Sequence, residues 1–214
     1  MLEIAPELIL LNYGAGNMAS IRNALTAIAA PYRELASAPL PNGDNAIFIL
    51  PGVGSFAEAS ASMRRRGFDR LCTMSPKLVG ICLGMQLLFT DSTEGGVNSG
   101  LGLMPGSVRP ITAHPSFQEN LRLPHVGWQP LQIHNNMATT ALGCTSGQDV
   151  YFVHSFMAFE KAVEDVWATV DYGSVSIPAV VAKDGVVGFQ FHPEKSGLAG
   201  LNLLRQTLDY LIHF

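Results

Sequence analysis

Apolar and polar positions along the chain change their rhythm near residue 90. Before that point, short unbroken apolar runs are separated by stretches of helical spacing. The runs lie at residues 8–11, Ala46–Leu50 and Leu78–Ile81, and residues 32–35 read as one further strand. Four or five apolar residues without alternation suit a strand buried on both faces of a parallel sheet. A helix is predicted after each turn: from Asn17 or Ser20, either of which can cap it, to about Ala30; from Phe56 to about Arg66; and onward from Cys82. Strands alternating with helices imply a parallel sheet with right-handed crossovers. Beyond Phe89 the texture differs. Residues 94–106 read as a glycine-rich loop. From 107 to 191 short strands are expected at 108–111, 149–153, 166–170, 179–182 and 186–191, largely antiparallel, with few helices. Apolar residues at 198, 201, 203, 204, 208, 211 and 212 predict a closing amphipathic helix. With no repeat, low-complexity tract or linker, residues 1–214 read as one α/β domain.

Two turns carry chemistry. Gly80-Ile81-Cys82-Leu83-Gly84 sets a cysteine between glycines at minus two and plus two, directly after an apolar strand. This is the cysteine form of the nucleophile elbow, where a tight strand-to-helix turn needs small neighbours. A sulfur at a helix N-terminus meets free N–H groups that favour thiolate. His192-Pro193-Glu194 follows the run 186–191, so the imidazole is expected at the carboxyl edge of a strand, where open parallel sheets build sites. Glu194 can accept from one imidazole nitrogen, with Pro193 stiffening the link. Each motif alone also fits a plainer role, a buried structural cysteine or a capped surface turn. They stand 110 residues apart, so only a fold can join them. The turn at Asn12-Tyr13-Gly14-Ala15-Gly16-Asn17 lacks the third glycine of a dinucleotide fingerprint, which disfavours nucleotide binding.

Composition narrows the classes further. The chain is 48% hydrophobic and 14% charged, enough apolar material for a large core. A net charge of −4 without a basic run argues against nucleic acid; Arg64-Arg65-Arg66 reads as a solvated helix end. Cysteines at 72, 82 and 144 form an odd set without C-x-x-C spacing, which points away from disulfides and zinc and towards a reducing, cytoplasmic setting. His114, His134 and His213 show no metal-ligand spacing, so no metal and no cofactor are expected. The start of the chain, with Glu3 and Glu7, does not read as a signal peptide, and no apolar run reaches membrane-spanning length.

The two motifs together resemble the class I, triad-type glutamine amidotransferases, and within them the glutaminase subunits of imidazole glycerol phosphate synthase. The resemblance runs from Asn12 to the last helix. It includes Pro51-Gly52-Val53-Gly54, Pro124-His125-Val126-Gly127-Trp128, Tyr151-Phe152-Val153-His154-Ser155 and His192-Pro193-Glu194-Lys195-Ser196-Gly197. It implies the class I glutamine amidotransferase fold: a central, mostly parallel sheet flanked by helices, with antiparallel strands in the C-terminal half. It implies a glutaminase with Cys82 as nucleophile, His192 as proton carrier and Glu194 as its orienter. Leu83 and the loop around Gly52 and Val53 would supply oxyanion donors, the loop by a peptide flip. Gln86, Glu94, His154 and Ser155 would hold glutamine, and Asn17, Trp128, Tyr151 and Lys195 would face the partner. That partner is a (β/α)8-barrel synthase subunit, bound as a heterodimer, which uses the ammonia in histidine biosynthesis. Asn12, Gln129 and Phe156 depart from the common pattern of Asp, Asn and Tyr. Two other readings stay open: a paralogue that supplies a sugar-aminating synthase for surface polysaccharide, and a catalytically silent binding or regulatory subunit, against which Cys82 and His192 both stand.

Overall fold

The computed structural model describes residues 6–14, 17–38, 45–74 and 77–214. Residues 15–16 of the glycine-rich turn lie outside the described residues, as do residues 1–5 with Glu3. A large sheet is built from β1 (Glu7–Leu11), β2 (Arg33–Leu35), β3 (Ala46–Leu50) and β4 (Leu78–Ile81) in the first part of the chain. Later come β5 (Phe89–Ser92), β6 (Asn98–Ser99), β7 (Met104–Pro110), β8 (His125–Pro130), β9 (Gln132–Ile133), β10 (Asp149–His154), β11 (Phe156–Glu160), β12 (Val166–Tyr172), β13 (Val175–Lys183) and β14 (Val186–Phe189). The large sheet has the order β2-β1-β3-β4-β14-β13-β12-β9. It is parallel from β2 to β14 and antiparallel beyond.

The unbroken apolar runs follow from burial on both faces. Along β3, Ile47 and Ile49 join one core with Leu8, Leu10, Val79 and Ile81; Phe48 and Leu50 join the other with Ile9, Leu11 and Leu78. The first core is closed by α1 (Met18–Ala27) and α6 (Gly197–Ile212), through residues such as Ile21, Leu25, Leu204 and Leu211. The second is closed by α2 (Phe56–Arg66), α3 (Phe68–Met74) and α4 (Leu83–Leu87), through Phe56, Met63, Phe68 and Met85.

Several elements differ from the sequence reading. α1 ends at Ala27 rather than near Ala30. Ala29 takes a left-handed φ of 55°, and its N–H bonds Thr26 while Ala30 N–H reaches back to Leu25. This is a Schellman stop without its usual glycine, so no sequence signal marked it. The helix after Cys82 has only five residues. The carbonyls of Leu87 and Leu88 are taken by N–H groups of Leu101, Leu103 and Met104, so backbone pairing from a distant segment replaces the next helical turn. Part of the expected 94–106 loop is therefore strand, in a second sheet of order β11-β7-β5-β6. β8 and β11 were not expected, and β13 runs over nine residues rather than four. A short α5 (Asn136–Thr140) lies beside β12. The arginine run is partly tied down: Arg64 donates to Ser99 O and Arg66 to Ala36 O.

Candidate active site

Cys82 sits at the carboxyl end of β4 and caps α4, with φ 52° and ψ −107°. A non-glycine residue held there is strained and persists only where its surroundings impose it. They do so by close approach. A Cβ on Gly84 would come within 1.8 Å of Leu50 O, and one on Gly80 within 2.7 Å of Gly84 O. The N–H of Cys82 donates to Phe189 O at 2.7 Å, which ties the elbow to β14.

β14 is the neighbour of β4, and the chain leaving it carries the imidazole. The predicted strand 186–191 ends at Phe189, after which His192 N–H donates to Tyr151 O on β10. Pro193 opens a one-turn 3-10 helix, Pro193–Lys195. That turn brings the Glu194 carboxylate back onto His192, with Nδ1 to Oε1 at 2.7 Å and both side chains buried. Burial by itself would lower the His192 pKa. The nearby Cys82 sulfur and the Glu194 carboxylate outweigh it and hold the imidazole up to about 10, hence protonated near neutral pH. His192 Nε2 and Glu194 Oε2 are buried without a hydrogen-bond partner.

A cavity of about 330 Å³ opens beside the sulfur, lined by Val53, Cys82, Gln86, Glu94, His154 and Ser155, among others. Ligand-sized pockets with a few convergent polar groups are the usual form of a small-molecule site. Glu94 is not free in it. Its carboxylate accepts from Phe56 N–H at 2.8 Å, at the start of α2, while burial raises its pKa. Gly52 and Leu83 face each other, with Leu83 N–H donating to Gly52 O at 3.4 Å. The two expected oxyanion donors are thus not both open: the Gly52 carbonyl occupies Leu83. Tyr13 OH donates to Pro51 O just before this loop.

Under the pocket lies a directed chain of polar groups. Phe156 O accepts from His154 Nδ1 at 2.8 Å and from Gln86 Nε2 at 3.0 Å. His154 Nε2 is then an acceptor, and it pairs with His125 Nδ1 at 3.0 Å. His125 is fully buried and stacks on Tyr172 and Phe152. Burial holds both imidazoles neutral, His125 down at about 4 and His154 at about 3. Two supporting residues escaped the sequence reading. Ser196 bonds His192 O and Tyr151 N, pinning the His192 turn to β10. Gln190 stands between Gln86 and Cys82. The available signal was its polarity, a lone amide inside the run 186–191.

The four residues expected at an interface are not equivalent. Trp128 and Tyr151 are cross-strand partners on β8 and β10, their rings 5.9 Å apart, with Lys195 Nζ 6.0 Å from the Tyr151 ring. Trp128 is 52% exposed and Val126 53%. Asn17 instead caps α1, bonding Ser20 through its amide.

Fold and site place the protein among the α/β proteins that carry a cysteine on a strand-to-helix elbow. Within them, the chain belongs to the family described as glutamine amidotransferase class-I, whose model matches residues 8–209. It is 40% identical over 200 residues to the imidazole glycerol phosphate synthase subunit HisH of Bacillus subtilis, covering 92% of each chain. It is 40% identical to the HisH subunit of Streptococcus sanguinis, covering 95% of this chain and 96% of that one. A solved glutamine amidotransferase superposes with a TM-score of 0.69 at 16% identity, covering 95% and 98% of the two chains. PurLQS from Thermotoga maritima gives the same score and identity over 97% and 100%. No helix among the described residues is long and apolar enough to cross a membrane.

Proposed function

We propose that this protein is the glutaminase subunit of an imidazole glycerol phosphate synthase, hydrolysing glutamine and passing ammonia to a (β/α)8-barrel synthase subunit. The observation that carries the chemistry is the buried His192–Glu194 pair set against Cys82, which lines the pocket. The relatives at 40% identity over nearly the whole chain support the acceptor and the partner over a sugar-aminating route.

The thiolate of Cys82 adds to the side-chain amide carbon of glutamine. The C–N bond then breaks as His192 gives its proton to the leaving nitrogen, and ammonia departs from a glutamyl thioester. Water attacks the thioester, His192 takes a proton, the C–S bond breaks and glutamate leaves. Glu194 keeps the imidazole oriented and offsets its charge. The addition step needs donors for the oxyanion. Leu83 N–H is engaged by Gly52 O, so rotation of the Gly52–Val53 peptide is the step that withdraws this carbonyl and presents Val53 N–H instead. The resting loop therefore suits a subunit idle until its partner docks, which avoids releasing ammonia that would be lost to solvent as ammonium.

The test is reconstitution with the barrel subunit. Its addition, with an acceptor analogue, is expected to raise glutamine hydrolysis at least about 100-fold, the scale of one oxyanion donor. Cys82→Ala should abolish glutamine-driven synthesis and leave ammonia-driven synthesis intact. Glutamine-driven synthesis by Cys82→Ala would overturn the reading.

A further inference from the structure

We propose that Gln190 belongs to the chemical site, as a fixed amide donor to the Cys82 sulfur whose orientation is dictated by the backbone carbonyl of Phe156. Gln190 is fully buried, just past the end of β14. Its Nε2 donates to Cys82 Sγ at 3.7 Å, and its Oε1 accepts from Gln86 Nε2 at 3.1 Å. An amide in isolation could turn end for end, but this one cannot. Phe156 O is only an acceptor, so the Gln86 atom 3.0 Å from it must be the amide nitrogen. That nitrogen has one hydrogen left, directed at Gln190, and so demands an oxygen there. The Gln190 nitrogen is left facing the sulfur.

The consequence is chemical. A turned amide would aim a carbonyl lone pair at the sulfur and oppose thiolate; the observed orientation supplies an N–H to it. Losing that N–H lowers the share of the sulfur held as thiolate, so alkylation at a fixed pH should slow roughly tenfold or more. The same chain uses both N–H groups of Gln86, leaving only its Oε1 for a ligand. Cys82 and Gln86 are thereby positioned by one relay. The inference deepens the glutaminase reading and rests on it for the identity of the substrate, but not for the sulfur contact itself.

The experiment follows Cys82 directly. The full chain is alkylated with iodoacetamide at pH 7, and the rate at Cys82 is read by mass spectrometry. Cys72 and Cys144 serve as internal references, since both are fully buried with thiols pushed up to about 12. Gln190→Leu and Gln190→Met both remove donor and acceptor, and Met keeps the length of the side chain. Both are expected to lower the Cys82 alkylation rate at least about tenfold, with circular dichroism unchanged, and to lower kcat for glutamine more than they raise KM. If one variant fails to fold, the other decides. A folded variant that alkylates at the wild-type rate overturns the inference and leaves the glutaminase reading standing. Wild-type chain that alkylates normally yet never hydrolyses glutamine with its partner overturns the glutaminase reading while the Gln190 contact stands.

Discussion

At the scale of single residues, buried titratable groups set what the site does. His192 keeps its proton near neutral pH because Cys82 and Glu194 outweigh the cost of burial. His192→Ala, which removes the proposed proton carrier, is expected to lower kcat by about 10²–10⁴-fold. Glu194→Gln retains a hydrogen-bonding group and should cost less; steady-state kinetics of the two variants checks the order. The His125–His154 pair works in the opposite sense. Both folded pKa values lie below the ordinary value of 6.5. Between about pH 4 and 6.5 the unfolded chain therefore binds protons that the folded chain refuses, and stability falls as pH falls through that window. His125→Gln, which can still donate to His154, should flatten this loss by on the order of 2 kcal/mol between pH 6.5 and 4. Urea unfolding across that range measures it.

At the scale of elements, the site is made by where strands and helices stop. β4 stops at a strained cysteine because Gly80 and Gly84 let Leu50 and the α4 backbone close in. α4 stops after five residues because residues 101–104 claim its last carbonyls; so short a helix adds little dipole at the sulfur, which raises the weight of the side-chain donors around it. α1 stops on Ala29 at φ 55°, exposed and strained. Ala29→Gly should raise stability by about 0.5–1 kcal/mol, since glycine takes the left-handed region without the Cβ penalty. Chemical denaturation of the two proteins tests this, and an unchanged midpoint would mean that the left-handed stop costs nothing.

At the scale of the whole molecule, the His192 turn and the Trp128–Tyr151–Lys195 cluster belong to neighbouring parts of one framework. Tyr151 O holds His192 N–H, while the Tyr151 ring meets Trp128 and Lys195. Docking over Trp128 would thus press on the strand that anchors the imidazole. Trp128→Ala is expected to weaken binding of the proposed barrel partner by about 2 kcal/mol or more, the usual weight of an aromatic anchor. Cys82 alkylation and ammonia-driven synthesis should not change. Titration calorimetry with the barrel subunit gives the first value and the two assays give the others.

Local chemistry was legible in the sequence. The elbow, the H-P-E turn, the parallel strands and the closing helix are each written in contiguous residues, because sterics, capping and two-sided burial act over short distances. The family resemblance, not local pattern, singled out Gln86, Glu94, His154 and Ser155, which line the pocket. What the tertiary structure alone decided depends on partners far apart in the chain. The short α4 rests on residues 101–104, the second sheet on pairing of β7 with β5 and β11, and the occupied Leu83 donor on Gly52. The direction of the Gln190 amide rests on Phe156 through Gln86. A backbone N–H or an amide end finds its partner only when the fold brings one within hydrogen-bond reach, and no local pattern records which partner that is.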